Sequence, residues 1–443
     1  MSSSRATTAL AITACTVALA VWPGRPALAQ QSLSETERRI VAAVDADVEA
    51  GLALLETVVN INSGSMNSEG VREVGGLFRV ELDALGFATR WADGEPFERG
   101  GHLVAERPGD GPTILLIGHL DTVFERDSPF QRYELLNDST ARGPGVIDMK
   151  GGDVIIVQAL KALDATGLLD DLHIIVVMTG DEEKSGRPFS ISRRDLIDAA
   201  DAADVALSFE DGDGNPATAV VARRGYSGWT LRVTGQPAHS SQVFREDIGY
   251  GAIYEAARIL TRFQEELAGE EYLTFNPGVI LGGTSVEFDP EQARGEAFGK
   301  QNVIAEHAVA SGDLRMISLE QRDRTRERMK AIVADHLPHT SAEIEFTDGY
   351  PPMAPSPGNE RLLALLDRVS RDLGQGSVTA VDPRRAGAAD IAFTTDRVEM
   401  ALDGLGLMGD YGHTVEETGD LRSLPLQTKR TAVLLYRLSQ RAD

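Results

Sequence analysis

The feature that most constrains this chain is a set of short, nearly uninterrupted apolar runs at 113–117, 173–178 and 205–209. Runs of strand length without alternation suit strands buried on both faces, as in a parallel sheet covered by helices. Between the first two, 151–165 reads as a helix whose strongly polar residues are Asp153, Gln158, Lys161 and Asp164, with Gly167 placed to end it. Such alternation predicts an α/β domain with its chemistry in the loops at the carboxyl ends of the strands. The preceding stretch, 34–87, reads as mostly helical, with Leu52, Leu54, Leu55 and Val58 on one face.

The pattern changes near Val221. Residues 229–234 alternate as a half-buried strand, 248–267 are helical, 272–281 and 303–316 are strands, 319–336 is a charged helix and 342–346 a further strand. The order strand-helix-strand-strand-helix-strand is that of a ferredoxin-like unit, and continuation of the main sheet is the competing reading. After the proline-rich segment from Pro351 to Pro357, helix–strand alternation resumes to a last helix near 440. The expectation is one α/β domain, 30–221 and 350–443, interrupted by a smaller α+β domain at 222–349.

Residues 1–29 read as an export signal. Arg5 supplies a positive start, 9–22 is apolar, and Ala27-Leu28-Ala29 is a small-x-small cleavage site. The apolar stretch falls short of the roughly 20 residues needed to span a bilayer. Ile12-Thr13-Ala14-Cys15 loosely resembles a lipid-attachment box, the alternative to cleavage after Ala29. Cleavage removes the one cysteine, and a thiol-free chain suits a periplasmic or secreted setting. With 68 acidic against 43 basic residues, nucleic acid is excluded as a partner, because phosphate backbones need a basic face. No later segment has a spanning apolar run, so no membrane span is expected in the mature chain.

Several chemistries fall away on motif grounds. There is no Gly-x-Ser-x-Gly elbow and no Walker loop, since Gly299-Lys300 is followed by Gln301; no His precedes Glu. The segment from Asp211 to Asn215 starts like a calcium loop, but Pro216 and Ala222 break it, and it reads as a turn. What remains is a series of acids and a histidine after predicted strands: His119 and Asp121, Asp148 ahead of a helix, Asp181-Glu182-Glu183, and Glu210. An acid at one strand end is ordinarily a turn residue or cap. Consecutive loops on one sheet edge that all supply such residues are a stronger signal. His119 and Asp121 also point the same way on an extended chain, so that the carboxylate can orient the imidazole.

The segments Gly118-His119-Leu120-Asp121-Thr122-Val123, Asp148-Met149-Lys150-Gly151-Gly152, Asp181-Glu182-Glu183 and Ser208-Phe209-Glu210 resemble the motif set of a family of co-catalytic zinc hydrolases. That family includes folate-hydrolysing glutamate carboxypeptidase, aminoacylase, acetylornithine deacetylase, succinyl-diaminopimelate desuccinylase and cytosolic dipeptidases, and the wording around Glu183, Glu210 and Arg315 looks most like the first. The resemblance implies a zinc-exopeptidase-like domain with a mostly parallel sheet and an inserted lid and dimerisation domain. It implies two zinc ions, replaceable by cobalt or manganese, bridged by Asp148. One would be held also by His119 and Glu210, the other by Glu183 and by His413 of Gly409-Asp410-Tyr411-Gly412-His413. Two divalent ions, three carboxylates and one hydroxide sum to neutrality, so such a cluster can be buried. The resemblance further assigns Glu182 as general base, Asp121 as the partner of His119, His239 of Pro237-Ala238-His239-Ser240 as oxyanion donor, and Asn302 and Arg315 as substrate ligands. A homodimer, with His239 reaching the other subunit, is also implied.

Departures from the family pattern fall on the substrate side. Ala305 replaces the usual proline after Asn-x-Ile, 289–300 looks inserted, and the segment from Arg384 to Asp390 replaces a glycine-rich loop. Its two arginines, Arg384 and Arg385, are expected to favour an acidic substrate. The leading expectation is an exported zinc hydrolase releasing a C-terminal amino acid, glutamate first, from a peptide or N-acyl conjugate. An N-acyl-amino-acid deacylase or dipeptidase is the alternative of the same kind, and a two-lobed solute-binding protein the alternative of another kind.

Overall fold

A computed structural model of the chain describes residues 33–290 and 292–440; the export-signal reading on 1–29, with Cys15, lies outside the described residues. The apolar runs form strands. Numbering those of the central sheet in chain order, they are β1 (Ala88–Ala92), β2 (His102–Arg107), β3 (Thr113–His119), β4 (His173–Thr179), β5 (Val205–Ser208) and β6 (Met400–Leu402). Their order across the sheet is β1-β2-β4-β3-β5-β6. The pairs β4–β3, β3–β5 and β5–β6 are parallel, whereas β1–β2 and β2–β4 are antiparallel.

Burial on both faces explains the uninterrupted runs. Ile114, Leu116, Ile174 and Val176 face a core completed by helices Glu35–Val59, Ser68–Ala84, Lys150–Ala165, Pro357–Asp372 and Ser423–Ser439. The alternate residues Leu115, Ile117, Ile175 and Val177 face a second core with Leu196, Ala200, Tyr350, Ile391 and Phe393. Fully burying each such side chain stabilises by about 1.5–3 kcal/mol, so the middle of a strand with two buried faces is apolar and its polar residues fall at the ends. The stretch read as one helical region divides at 60–67 into two helices. The first opens on a capping box, with Glu37 N–H donating to Ser34 Oγ at 3.1 Å and Ser34 N–H to Glu37 Oε2 at 2.6 Å.

The insert builds its own sheet from Gly225–Gly235, Thr274–Gly283, His307–Met316 and Thr340–Asp348. Numbered one to four along the chain, these strands lie in the order two-three-one-four, and all pairs are antiparallel. Helices Ala252–Leu267 and Leu319–Ala334 cover one face over Trp229, Leu231, Val233, Ile259, Phe263 and Met329. This is the ferredoxin-like arrangement. Its first helix starts later than the periodicity suggested, because Gly249 and Gly251 hold left-handed backbone at φ 82° and 77°. The apparent insertion at 289–300 is a hairpin, Ser285–Asp289 against Arg294–Phe298. No described helix is long and apolar enough to cross a membrane.

Candidate active site

The parallel strands end together, and their loops bring the charged residues to one edge. β3 ends on His119, β4 leads into Asp181-Glu182-Glu183, and β5 leads into Glu210. Asp148 lies just ahead of helix Lys150–Ala165, whose amino end favours a carboxylate. Two glycines let that helix come close enough. A Cβ on Gly118 would lie 2.0 Å from Asp153 Oδ1, and one on Gly152 2.0 Å from the Phe209 carbonyl oxygen. The fifth residue, His413, comes from the distant 409–420 segment. Tyr411 and His413 both adopt left-handed backbone, φ 65° and 64°, at a cost on the order of 1 kcal/mol each.

All five residues converge. His119 Nε2 lies 3.0 Å from Asp148 Oδ1 and 3.6 Å from Glu210 Oε1. His413 Nε2 lies 2.8 Å from Asp148 Oδ2 and 3.1 Å from Glu183 Oε2. Asp148 therefore offers one oxygen to each imidazole, and the cage divides into two halves that share this carboxylate. Donor atoms of His119, Asp148 and Glu183 all fall within 4.8 Å of one another. His119 Nδ1 donates to the Asp121 carbonyl oxygen at 3.1 Å, which turns Nε2 into the cage.

Electrostatics reflect crowding. Burial pushes Glu182 and Glu210 well above the usual carboxylate range, and burial followed by the nearby Asp148 charge takes Glu183 to about 7. Burial also opposes charge on Asp148 and His119. Hydrogen bonds outweigh it: those to His119 and then His413 lower Asp148, and those to Asp121 and then Asp148 raise His119. His413 rises to about 11 through its hydrogen bonds to Asp148 and Glu183. Glu183 Oε1 is buried without any hydrogen-bond partner. A buried orphan oxygen beside two imidazoles and further carboxylates is a donor set suited to Zn²⁺, Co²⁺ or Mn²⁺.

Asp121 does more than the sequence suggested. Its carboxylate lies 3.4 Å from His119 Nδ1, as the orienting role requires, and the Asp121 backbone carbonyl accepts from the same nitrogen at 3.1 Å. The carboxylate also accepts from Glu182 N–H (3.0 Å), Glu183 N–H (3.2 Å) and Ser65 Oγ (2.5 Å), which fixes the loop that carries both glutamates. Glu182 is part-buried, and no described residue ties its carboxylate by a hydrogen bond or ion pair.

Other supports were also missed. Glu417 accepts from Gly145 N–H and Ile147 N–H at 3.2 and 3.0 Å, joining the His413 loop to the Asp148 loop. Arg223 ion-pairs Asp403 at 2.6 Å, and Asp403 accepts from Glu210 N–H at 3.3 Å. Arg193, fully buried, holds Asp181 at 2.5 Å and Asp390 at 2.7 Å behind the Glu182 loop. Asp181 stands in the Asp181-Glu182-Glu183 segment and Asp390 ends the segment from Arg384, but Glu417, Arg223, Asp403 and Arg193 lie in no recognisable motif; an acid or arginine on a loop carries no signal by itself.

His239, Asn302 and Arg315 are not joined to the cage by any hydrogen bond or ion pair among the described residues. His239 and Asn302 are exposed neighbours: His239 Nδ1 is 2.9 Å from Ser241 Oγ, and the Asn302 carbonyl accepts from Ser240 N–H at 2.9 Å. Arg315 pairs with Asp313 at 2.9 Å and stacks over Tyr226 at 5.2 Å. The two arginines expected to await an acidic substrate are engaged internally, Arg384 with Asp382 and Arg385 with Asp213 at 3.1 Å. The segment beginning at Asp211 is a turn, with Gly212 and Gly214 at φ 67° and 75°.

Comparisons with known proteins agree with this architecture. The chain is 26% identical to carboxypeptidase G2 of Pseudomonas sp. (strain RS-16) over 397 residues, covering 88% of this chain and 89% of that one. Among solved structures, aminopeptidase PepT of Bacillus cereus ATCC 10987 superposes with a TM-score of 0.66 at 15% identity, covering 89% of this chain and 99% of the other. A Bacillus subtilis protein described as a dinuclear metal binding peptidase from the M20 family superposes at 0.62, also at 15% identity, covering 90% and 100%. The family description Peptidase family M20/M25/M40 matches residues 115–437. The chain therefore belongs to the M20/M25/M40 peptidase family, a hydrolase of peptide and amide bonds.

Proposed function

We propose that this protein is an exported, two-zinc hydrolase that releases a C-terminal amino acid, glutamate first, from a peptide or N-acyl conjugate. The observation that carries the reading is the division of Asp148, one oxygen towards His119 and the other towards His413. His119, Asp148 and Glu210 would hold one ion; Glu183, Asp148 and His413 the other. Bound there, the pair supplies a lowered water pKa and a polarised substrate carbonyl. Glu182, with its backbone fixed and its carboxylate untied, takes the proton of the attacking water and delivers it to the leaving amine. Asp121 holds the Glu182 and Glu183 amides in place. His239 donates to the developing oxyanion, and Arg315 with Asn302 grips the substrate carboxylate.

In this reading the inserted domain is a lid, spanning 222–349, and it is also where two subunits meet to form a homodimer with His239 acting in trans. Likeness to carboxypeptidase G2 over most of both chains supports C-terminal cleavage; the likeness in fold to aminopeptidase PepT keeps a peptidase acting from the amino end as the second reading. A screen of the zinc-loaded protein decides between them, using N-acyl amino acids, folate conjugates and dipeptides. Release of C-terminal glutamate at least tenfold faster than release of neutral residues is expected. Turnover only of substrates with a free amino terminus would favour the second reading, and tight binding without turnover would make the protein a solute binder.

A further inference from the structure

Tyr350 sits where the chain returns from the insert to the central domain, two residues beyond strand Thr340–Asp348. Its backbone carbonyl accepts from Tyr226 N–H at 3.0 Å, and Gly349 N–H donates to the Tyr226 carbonyl at 3.2 Å, so the outgoing and returning chains are paired there. Its ring is buried against residues from both bodies. Tyr226 of the inserted sheet stacks at 6.0 Å between centroids, and Phe189 and Phe393 of the central domain meet it edge-on at 5.3 and 5.0 Å. On the insert side the stack continues, since Arg315 lies over Tyr226.

The phenol oxygen is the other end of this connection. It accepts from Arg193 Nη2 at 2.6 Å and donates to the Glu182 carbonyl oxygen at 3.2 Å, with Ser185 Oγ 2.9 Å away. Ser185 Oγ also reaches the Glu182 carbonyl, at 3.3 Å. Glu182 is thus gripped on its N–H side by Asp121 and on its C=O side by Tyr350 and Ser185. The first grip belongs to the cage; the second belongs to the junction with the insert. An unbroken line of contacts runs from Arg315 through Tyr226 and Tyr350 to the backbone of Glu182.

We propose that Tyr350 is a positioning residue that sets the Glu182 carboxylate according to how the insert is seated on the central domain. This rests on the assignment of Glu182 as the base, and the geometry adds the means by which the insert acts on it. The hydroxyl is the working part, because the ring packs against its aromatic neighbours and it is the phenol oxygen of Tyr350 that bonds the Glu182 carbonyl. Removing it leaves the carbonyl to Ser185 and leaves one Arg193 nitrogen with its remaining acceptors, the Asp181 carbonyl at 3.1 Å and Ser185 Oγ at 3.3 Å.

The test is steady-state kinetics of the zinc-loaded Tyr350→Phe protein on an amide substrate and on the matching activated ester, with bound zinc and melting temperature measured on the same samples. Expected is a roughly tenfold fall in kcat on the amide, a KM within twofold, unchanged zinc content, and a smaller loss on the ester, whose leaving group needs no proton. The double variant Tyr350→Phe/Ser185→Ala should lose more than the product of the two single losses, since both hydroxyls serve one carbonyl. An unchanged kcat in both variants, or a loss equal on amide and ester that follows zinc content, would overturn the proposal. Glu182→Gln run in parallel separates the two levels: if that variant keeps full turnover, the base assignment fails, whatever Tyr350 does.

Discussion

Two regions of this molecule bury charge a few residues apart, and they do so in opposite ways. In the cage, His119, Asp148, Glu183, Glu210 and His413 crowd together with carboxylates in excess, and Glu183 Oε1 is left with no partner. Behind it, the Arg193 brace is saturated. Its guanidinium meets Asp181, Asp390 and Tyr350, and the remaining Asp390 oxygen accepts from Thr179 Oγ1 at 2.6 Å. Leaving a buried polar group without a partner costs about 1–3 kcal/mol. Such orphans are not confined to the cage, since both Asp153 oxygens and Ser63 Oγ also have no hydrogen-bond partner. What marks the cage is that its orphan stands beside two imidazoles and further carboxylates, a donor set that a cation completes.

The largest expected effect breaks the contrast on the side of the site. Glu182→Ala should lower kcat by roughly 10²–10⁴-fold, the usual contribution of a positioned acid–base group. Stability in urea should not fall, since the change removes one buried carboxylate from among several that repel each other. Bound zinc should remain near two per chain by elemental analysis. A variant that turns over normally would remove Glu182 from the chemistry; one that loses its zinc would make it a ligand.

The next effect is expected on the opposite observable. Arg193→Ala leaves Asp181 and Asp390 buried without their cation, which costs about 3–5 kcal/mol for a broken buried pair. Urea unfolding should show that loss directly. Arg193→Lys keeps the charge but cannot reach Asp181, Asp390 and Tyr350 together, so it should recover only part of the stability. If Arg193→Ala unfolds at the same urea concentration as the parent, the brace is not structural and the contrast collapses.

The same contrast explains what could be read from the chain in advance. The parallel strands were legible because the middle of a strand buried on both faces must be apolar, and His119, Asp148, Glu183, Glu210 and His413 stand in motifs beside them. β1 was not: it is an edge strand, Ala88-Thr89-Arg90-Trp91-Ala92, of which only Ala92 is buried. The small sheet formed by Glu134–Asn137, Thr140–Arg142, Gly409–Asp410 and Thr418–Asp420 was missed because two to four residues cannot show a period. The brace was invisible for another reason. Arg193 meets Tyr350 and Asp390 across 157 and 197 residues of chain, and nothing local distinguishes an arginine that will be buried from one that will not. Metal-site chemistry restricts residue type and so leaves a motif; a supporting ion pair restricts only final position.

The smallest effect concerns a satisfied cluster far from the site, and it sharpens what satisfaction is worth. Arg437 of the last helix bonds Glu37 of the first at 2.7 Å and Asp372 at 2.8 Å, pinning three helices on one face of the sheet. Burial alone would raise the Glu37 pKa, but the Arg437 hydrogen bond, with Ser34 assisting, brings it below the ordinary glutamate value. A depressed carboxylate stabilises above its unfolded pKa, and that contribution disappears as pH falls through the folded value. Arg437→Ala should therefore cost about 2 kcal/mol at neutral pH, the scale of charged hydrogen bonds that are partly open to water. The gap between parent and variant should narrow on acidification below the usual glutamate range, followed by urea unfolding at stepped pH. A gap that stays constant or widens there would mean that the guanidinium stem's packing, and not its charge, holds these helices together.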